Sequence, residues 1–305
     1  MKAQVGAGQG GERLDQFLSG FLGSRSRAQA QVAAGAVTVN GEAAAKSRRL
    51  EEGDLVEWSE PPREPPAAPP DAPEVPYRIA WEDDRLLVVD KPAGVATHPS
   101  RGHESGTLSQ ALAGRAAGGE DPERPGIVHR LDLGTSGLLV VARDDETHRA
   151  LQEAIGAREV KREYLALVGG RPRSRTGTVD APIGRDRRRR TVQSVDTDKP
   201  REAVTRFEVE EELPHATLLR VTLETGRTHQ IRAHLAAIGL PVAGDPEYGT
   251  PGALGLDRQF LHAARLAFAH PSGGEVDVAS PLPADLEEAL ARARAGEEPV
   301  AAPPG

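Results

Sequence analysis

The sequence predicts an α+β fold, with a small α/β module followed by a larger domain built on a mixed, mainly antiparallel sheet with flanking helices. Three observations carry this. Beyond residue 77, short apolar runs follow one another without a helical pattern between them, unlike the strict alternation of a doubly wound sheet. Residues 61–76 read PPREPPAAPPDAPEVP, eight prolines in sixteen, which no helix or central strand tolerates, so the chain divides at an extended spacer. The length, 305 residues with 38% hydrophobic and 28% charged, suits two domains of about 150 residues each. The expected boundaries are residues 1–60 for the first domain, 61–76 for the spacer, 77–295 for the second domain and 296–305 for a disordered tail.

Composition removes several classes. Aromatics are only 3%, so the core is built from Leu, Val and Ala. There is no cysteine, which excludes a disulfide scaffold, a thiol nucleophile and a thiolate metal site, and fits a cytoplasmic protein. Apolar runs such as Leu86–Val89 and Leu138–Ala142 fall far below the roughly 18–20 residues of a membrane span. Met1–Gly11 is Gly-rich with no apolar stretch, so it does not read as a secretory signal, and Gly6–Gly11, with no strand before it, reads as a floppy terminus.

In the first module, Leu14, Phe17, Leu18 and Leu22 have helical spacing, and a second helix is expected over Ser26–Ala34. Val37–Gly41 alternates like a strand and closes on the turn pair Asn40-Gly41, and Leu55–Trp58 is a further short strand. The net charge is −8, yet between Arg13 and Arg49 six basic residues stand against two acidic ones, a local +4. A local field of that sign steers a polyanion more than the global balance does. The run Arg13-Leu14-Asp15, Ser26-Arg27, Gly35–Gly41 and Gly53-Asp54 resembles the small RNA-binding domain named after ribosomal small-subunit protein four. That resemblance implies RNA contact through Arg25, Arg27, Lys46, Arg48 and Arg49.

In the second domain, strands are expected at Leu86–Asp90, Gly137–Arg143, Glu163–Val168, Val204–Glu210, Thr217–Leu223 and Leu261–Phe268. Helices are expected at Thr107–Ala116, Asp145–Ala157, Thr228–Ile238 and Ala284–Ala293. There is no phosphate loop, no metalloprotease helix and no nucleophile elbow. His229 and His234 are five apart, which does not pair them on one helix face, and His129 with Asp132 finds no third metal ligand. What remains is Gly126–Arg143, where Asp132 stands beside Arg130 in a Gly/Thr/Ser turn between apolar segments.

This segment, with its His-Arg-Leu-Asp at 129–132, resembles the large-subunit ribosomal RNA pseudouridine synthase family. Three further stretches agree, namely Asp90–Pro99, Lys161–Val168, and Glu224–His234 with its sequel Gly244–Gly249. Leu261-His-Ala and His270-Pro271 fit the closing strand pair. With the first module, the chain resembles the branch that modifies a helix-loop of large-subunit RNA. The resemblance implies an isomerase that needs no redox cofactor, nucleotide or metal, because uridine isomerisation neither oxidises nor hydrolyses. It requires one ionised carboxylate at the sugar, acting as a nucleophile or as a base.

By resemblance that carboxylate is Asp132, Arg232 is its bidentate partner, and Tyr164 is the ring that stacks on the target base. The target base must be flipped out at a cost of a few kcal/mol, which favours a loop or bulge substrate. Arg130 is then placed to fill the vacated stack or hold a phosphate, and the basic run of Arg185 and Arg187–Arg190 to meet the RNA backbone. His98, His129, Arg227, His229 and His262 are expected to line the pocket or hold hydrogen bonds rather than catalyse. Leu133-Gly134 departs from the charged pair common in the family at that point. The alternatives are a silent RNA-binding ribosome-assembly factor and a glycoside hydrolase; the latter needs two catalytic carboxylates where one is evident. A monomer with RNA as its partner is expected.

Overall fold

The computed structural model describes residues 1–22, 25–59, 75–100, 102–119, 121–189 and 192–299, without the side chains of 25–27 and 30. Most of the expected spacer, and the end of the expected tail, lie outside the described residues. The chain divides into two units, Met1–Pro66 with Glu120–Pro122, and Ala67–Gly119 with Glu123–Gly305.

The first unit contains β1 (Lys2–Gln4), α1 (Leu14–Leu22), α2 (Arg25–Ala33), β2 (Val37–Val39), β3 (Glu42–Ala43) and β4 (Leu55–Trp58). The sheet order is β1-β4-β2-β3. Leu14, Phe17, Leu18 and Leu22 bury one face of α1 against Val37, Val39, Val56 and Trp58. Asn40 and Gly41 have φ of 56° and 83°, the left-handed pair that a tight hairpin demands between β2 and β3. The floppy terminus expected over Gly6–Gly11 is corrected here. Lys2–Gln4 pairs with β4, and the Gly11 amide donates to the Leu50 carbonyl at 2.8 Å. These partners lie some forty to fifty residues away, beyond the reach of local pattern.

The second unit is one nine-stranded sheet with helices against it. It comprises β5 (Arg78–Glu82), β6 (Leu86–Lys91), α3 (Leu108–Ala111), β7 (Ser136–Ala142), α4 (Asp145–Gly156), β8 (Lys161–Gly169) and β9 (Thr176–Asp180). A separate hairpin, β10 (Gly184–Arg185) with β11 (Gln193–Ser194), follows. Then come β12 (Val204–Glu212), β13 (Ala216–Leu223), α5 (Gln230–Ala237), β14 (Leu261–Ala269), β15 (Glu275–Ala279) and α6 (Ala284–Arg294). The order is β5-β6-β7-β14-β8-β13-β12-β9, with β15 on β14. Every pairing is antiparallel except β7 with β14, so the sheet is mixed and mainly antiparallel as expected.

β7 is buried along its whole length, because both sheet faces are covered. Its parallel contact with β14 is close: Gly137 has φ 110°, and a Cβ there would sit 2.3 Å from the Ala263 carbonyl oxygen. Only glycine fits.

Two expected helices are shorter than their pattern. The helix expected from Thr107 to Ala116 is a single turn, Leu108–Ala111, and Gly114 at φ 80° turns the chain away. The helix expected from Thr228 begins at Gln230, because His229 stands before it in the left-handed region at φ 53°. At the other end, Gly296 and Glu297 donate to the carbonyls of Ala293 and Arg292, closing α6, and Pro299 is buried.

Candidate active site

Asp132 sits in the loop that enters β7. The loop is tied on three sides. Thr97 Oγ1 donates to the Leu131 carbonyl at 3.0 Å and accepts from the Leu131 amide at 3.2 Å. The Gly94 amide donates to the Leu133 carbonyl at 2.8 Å, and Arg258 donates to the Gly134 carbonyl at 3.0 Å. Gly134 lies against Gln259, where a Cβ would meet the Gln259 amide oxygen at 2.5 Å, and Gln259 donates to Thr135 Oγ1 at 3.0 Å. The backbone around Asp132 is thus held by side chains from distant segments, while the Asp132 side chain itself keeps 16% exposure.

Arg232 on α5 reaches this loop. It is 3% exposed, and its Nη1 lies 3.3 Å from Asp132 Oδ2. The expectation of a bidentate Arg232–Asp132 pair is corrected. The guanidinium fork instead grips Asp245, with Nε at 2.6 Å and Nη2 at 2.8 Å from its two carboxylate oxygens, while Nη2 also donates to Glu247 at 2.7 Å. Asp245 is fully buried and accepts from the amides of Glu247 and Tyr248 at 2.9 and 3.1 Å. The Tyr248 ring lies under the guanidinium, 5.0 Å from centroid to carbon. Burial opposes the charge on Arg232, but Asp245, Asp132 and Glu247 together outweigh it and raise its pKa above the ordinary value. The arginine is therefore a fixed cation offering one remaining corner to Asp132.

Tyr164 lies on β8, opposite Val221 of β13 and Ala263 of β14. Its ring is 5% exposed among apolar neighbours, and burial, with the charge of Asp132, raises its pKa, so it is a neutral phenol. Lys91, at the end of β6, has no exposure and donates to the carbonyls of Pro92 and Val95 at 2.8 Å and of Leu133 at 3.4 Å. Burial lowers its pKa to about 7, against the pull of Asp132.

The expected substrate-binding residues fall into two sets. Arg130 is exposed, and its Nη1 lies 3.5 Å from Nε2 of buried His98. His129 accepts from the Val140 amide at 3.0 Å, and burial, with Arg162 adding to it, lowers its pKa to about 3. That neutral ring props the loop before Asp132. Arg227 donates from Nε to the Glu202 carbonyl at 3.0 Å. Arg185 is exposed on the β10–β11 hairpin, and its carbonyl accepts from Thr197 at 2.8 Å. His229 Nδ1 lies 3.2 Å from the Tyr248 hydroxyl. His262 stands 2.9 Å from Ser136 Oγ, a core contact.

In the first unit, Lys46 and Arg49 are exposed and Arg48 is half-buried. The side chains of Arg25 and Arg27, and residue 190, lie outside the described residues. Among the described residues, no group of three or more His, Asp or Glu could hold a metal ion, and no helix is long and apolar enough to cross a membrane.

Sequence reasoning missed Lys91, Asp245, Glu247 and Tyr248 as site residues. The signal was present, since Asp90–Pro99 and Gly244–Gly249 stood out as motifs, but nothing local said that an aspartate thirteen residues after Arg232 would occupy its fork.

The family description "RNA pseudouridylate synthase" matches residues 85–237, and "S4 domain" matches residues 12–56. A Bacillus subtilis (strain 168) protein named uncharacterized RNA pseudouridine synthase YlyB is 42% identical over 292 residues, 94% of this chain and 95% of that protein. The ribosomal large subunit pseudouridine synthase D of Nitrosomonas europaea is 42% identical over 292 residues, 92% of this chain and 84% of that protein. Among solved structures, human RNA pseudouridylate synthase domain containing 4 superposes with a TM-score of 0.57 at 26% identity, covering 71% of this chain and 92% of that one. With both family matches and these relatives in agreement, the chain belongs to the RNA pseudouridylate synthase family, as an isomerase acting on RNA and carrying an S4 domain ahead of its catalytic domain.

Proposed function

We propose that the protein isomerises specific uridines of large-subunit ribosomal RNA, with Asp132 as the reacting carboxylate. The observation that carries this is the Arg232–Asp132 contact at 3.3 Å, in which the arginine is buried and held by two other acids while the aspartate keeps access to solvent. An acid placed this way faces a ligand with a cation behind it. It can attack the sugar or take a proton from the neighbouring sugar carbon; either route uses the ionised form.

Tyr164 supports the reading as a neutral ring close enough to feel the Asp132 charge, suited to stack on an extruded base. Arg130, exposed two residues before Asp132, is positioned to replace the flipped base in the stack. His98 and His129 shape the loop, and Arg227 and Arg185 would supply charge to the RNA. The large-subunit assignment rests on relatives that bear that name and on the S4 match. Lys46, Arg48 and Arg49, together with Arg25 and Arg27, would supply the basic contact to RNA. Ribosomal RNA as substrate places the work in the cytoplasm, and one copy of the chain holds every residue of the site.

The test is turnover. Wild type is incubated with a large-subunit RNA transcript and pseudouridine is mapped by carbodiimide-dependent stops. Asp132→Asn should fold normally and lose at least about a thousandfold in rate, in line with losing an essential covalent or acid–base group. Retained turnover by that variant would remove Asp132 from its role, and binding without turnover by wild type would favour the silent assembly factor.

A further inference from the structure

A second arginine on the catalytic face has no assigned part. Arg162 precedes Tyr164 by two residues on β8, so both side chains lie on one face of the sheet, about 7 Å apart along the strand. Arg162 is 5% exposed. Among the described residues its guanidinium makes no ion pair and no hydrogen bond, and its Nε is sealed without a partner.

The neighbouring acids are all engaged elsewhere. Glu163 points to the opposite sheet face and meets Lys161, Arg220 and Arg265. Glu224 pairs with Arg158 and Arg206, Glu202 with Arg158, and Asp132 with Arg232. The outer end of Arg162 lies under Gly226, where a Cβ would come 2.9 Å from Nη1. Gly226 is exposed and has no side chain, so only its backbone lies over that end of the guanidinium.

We propose that Arg162 binds a backbone phosphate next to the flipped uridine. The inference rests on the reading under Proposed function. A buried unpaired cation is unfavourable by itself, and what offsets it must be an anion. The phosphodiester is the only anionic group that RNA offers, and the guanidinium fork matches its oxygens. A uracil carbonyl would leave the charge unbalanced. Arg162 also acts electrostatically on Tyr164 and His129, which places it among the groups that would surround the nucleotide. Its position beside the stacking ring would fix the nucleotide's backbone while the base lies on Tyr164.

The experiment uses the full chain and a large-subunit RNA transcript, with kcat/KM for pseudouridine formation measured across a range of KCl. Arg162→Gln should lower kcat/KM about tenfold or more, mainly through KM. It should also make the slope of log kcat/KM against log salt shallower by about 0.7, the value for one phosphate contact on single-stranded nucleic acid. Arg162→Lys should keep the wild-type slope. The melting temperature of Arg162→Gln should equal or exceed that of wild type, since an unpaired buried charge has been removed. A lower melting temperature with an unchanged slope would mean a structural role and overturn the proposal, as would full activity of the variant. Failure of wild type to make pseudouridine in any transcript would remove the enzymatic reading as well, so the two failures are distinguishable.

Discussion

Lys91 shows how one residue ties stability to the state of the site. It is fully buried, three backbone carbonyls surround its ammonium, and burial brings its pKa to about 7. In the unfolded chain it titrates near its ordinary value of 10.5. Between these values the unfolded chain holds a proton that the folded one does not, so this group makes stability rise with pH across that window. The slope reaches about 1.4 kcal/mol per pH unit at most. Denaturant titrations between about pH 7 and pH 10 should therefore show wild type gaining on Lys91→Met as pH rises; parallel curves for the two proteins would contradict this. The same residue illustrates legibility. Nothing local in Asp90-Lys-Pro marks its lysine as buried; the Leu133 carbonyl, 42 residues away in the chain, is among the groups that enclose it.

At the scale of elements, the β10–β11 hairpin depends on a side chain from elsewhere. Two residues per strand are too few to hold a hairpin in water. The Tyr248 hydroxyl accepts from the Gln193 amide at 2.8 Å and donates to the Gln193 carbonyl at 3.0 Å, pinning the arm that carries Arg185 and Arg187–Arg189 to the residue under Arg232. Tyr248→Phe should cost about 1 kcal/mol and raise KM several-fold with kcat nearly unchanged. Hydrogen exchange at the Gln193 amide should accelerate in the variant, and wild-type protection there would count against the pinning. The elements that sequence pattern found were the buried central strands, rich in Val and Leu. β5, β9 and β15 escaped it because their exposed positions carry Arg, Thr, Asp and Glu and their pairing is set by distant neighbours. The helix expected over Thr107–Ala116 kept its spacing on paper but stopped after one turn.

At the scale of the whole molecule, charge is divided unevenly. The chain carries −8 overall, yet the segment from Arg13 to Arg49 is locally basic. Removal of residues 1–60 should weaken RNA binding and flatten its dependence on salt, while the single-turnover rate on saturating transcript changes much less. Filter binding across a KCl series, beside single-turnover assays, separates the two effects. An unchanged salt slope after truncation would show that the basic segment makes no phosphate contacts.

The sequence by itself determined the class of the fold and the order of its central strands and helices, because hydrophobic period is a local property of a chain, while its resemblance to the family put forward Asp132, Tyr164 and Arg232. It could not say who holds whom. Arg232 is a hundred residues from Asp132 in sequence, and its fork is taken by Asp245, leaving one nitrogen at 3.3 Å for Asp132. Whether a charge is paired, buried or left open depends on which groups the folded sheet brings within a few ångströms, and that choice is made by long-range packing alone. Tertiary structure therefore decided the hierarchy of partners around the acid, the burial of Lys91 and the isolation of Arg162.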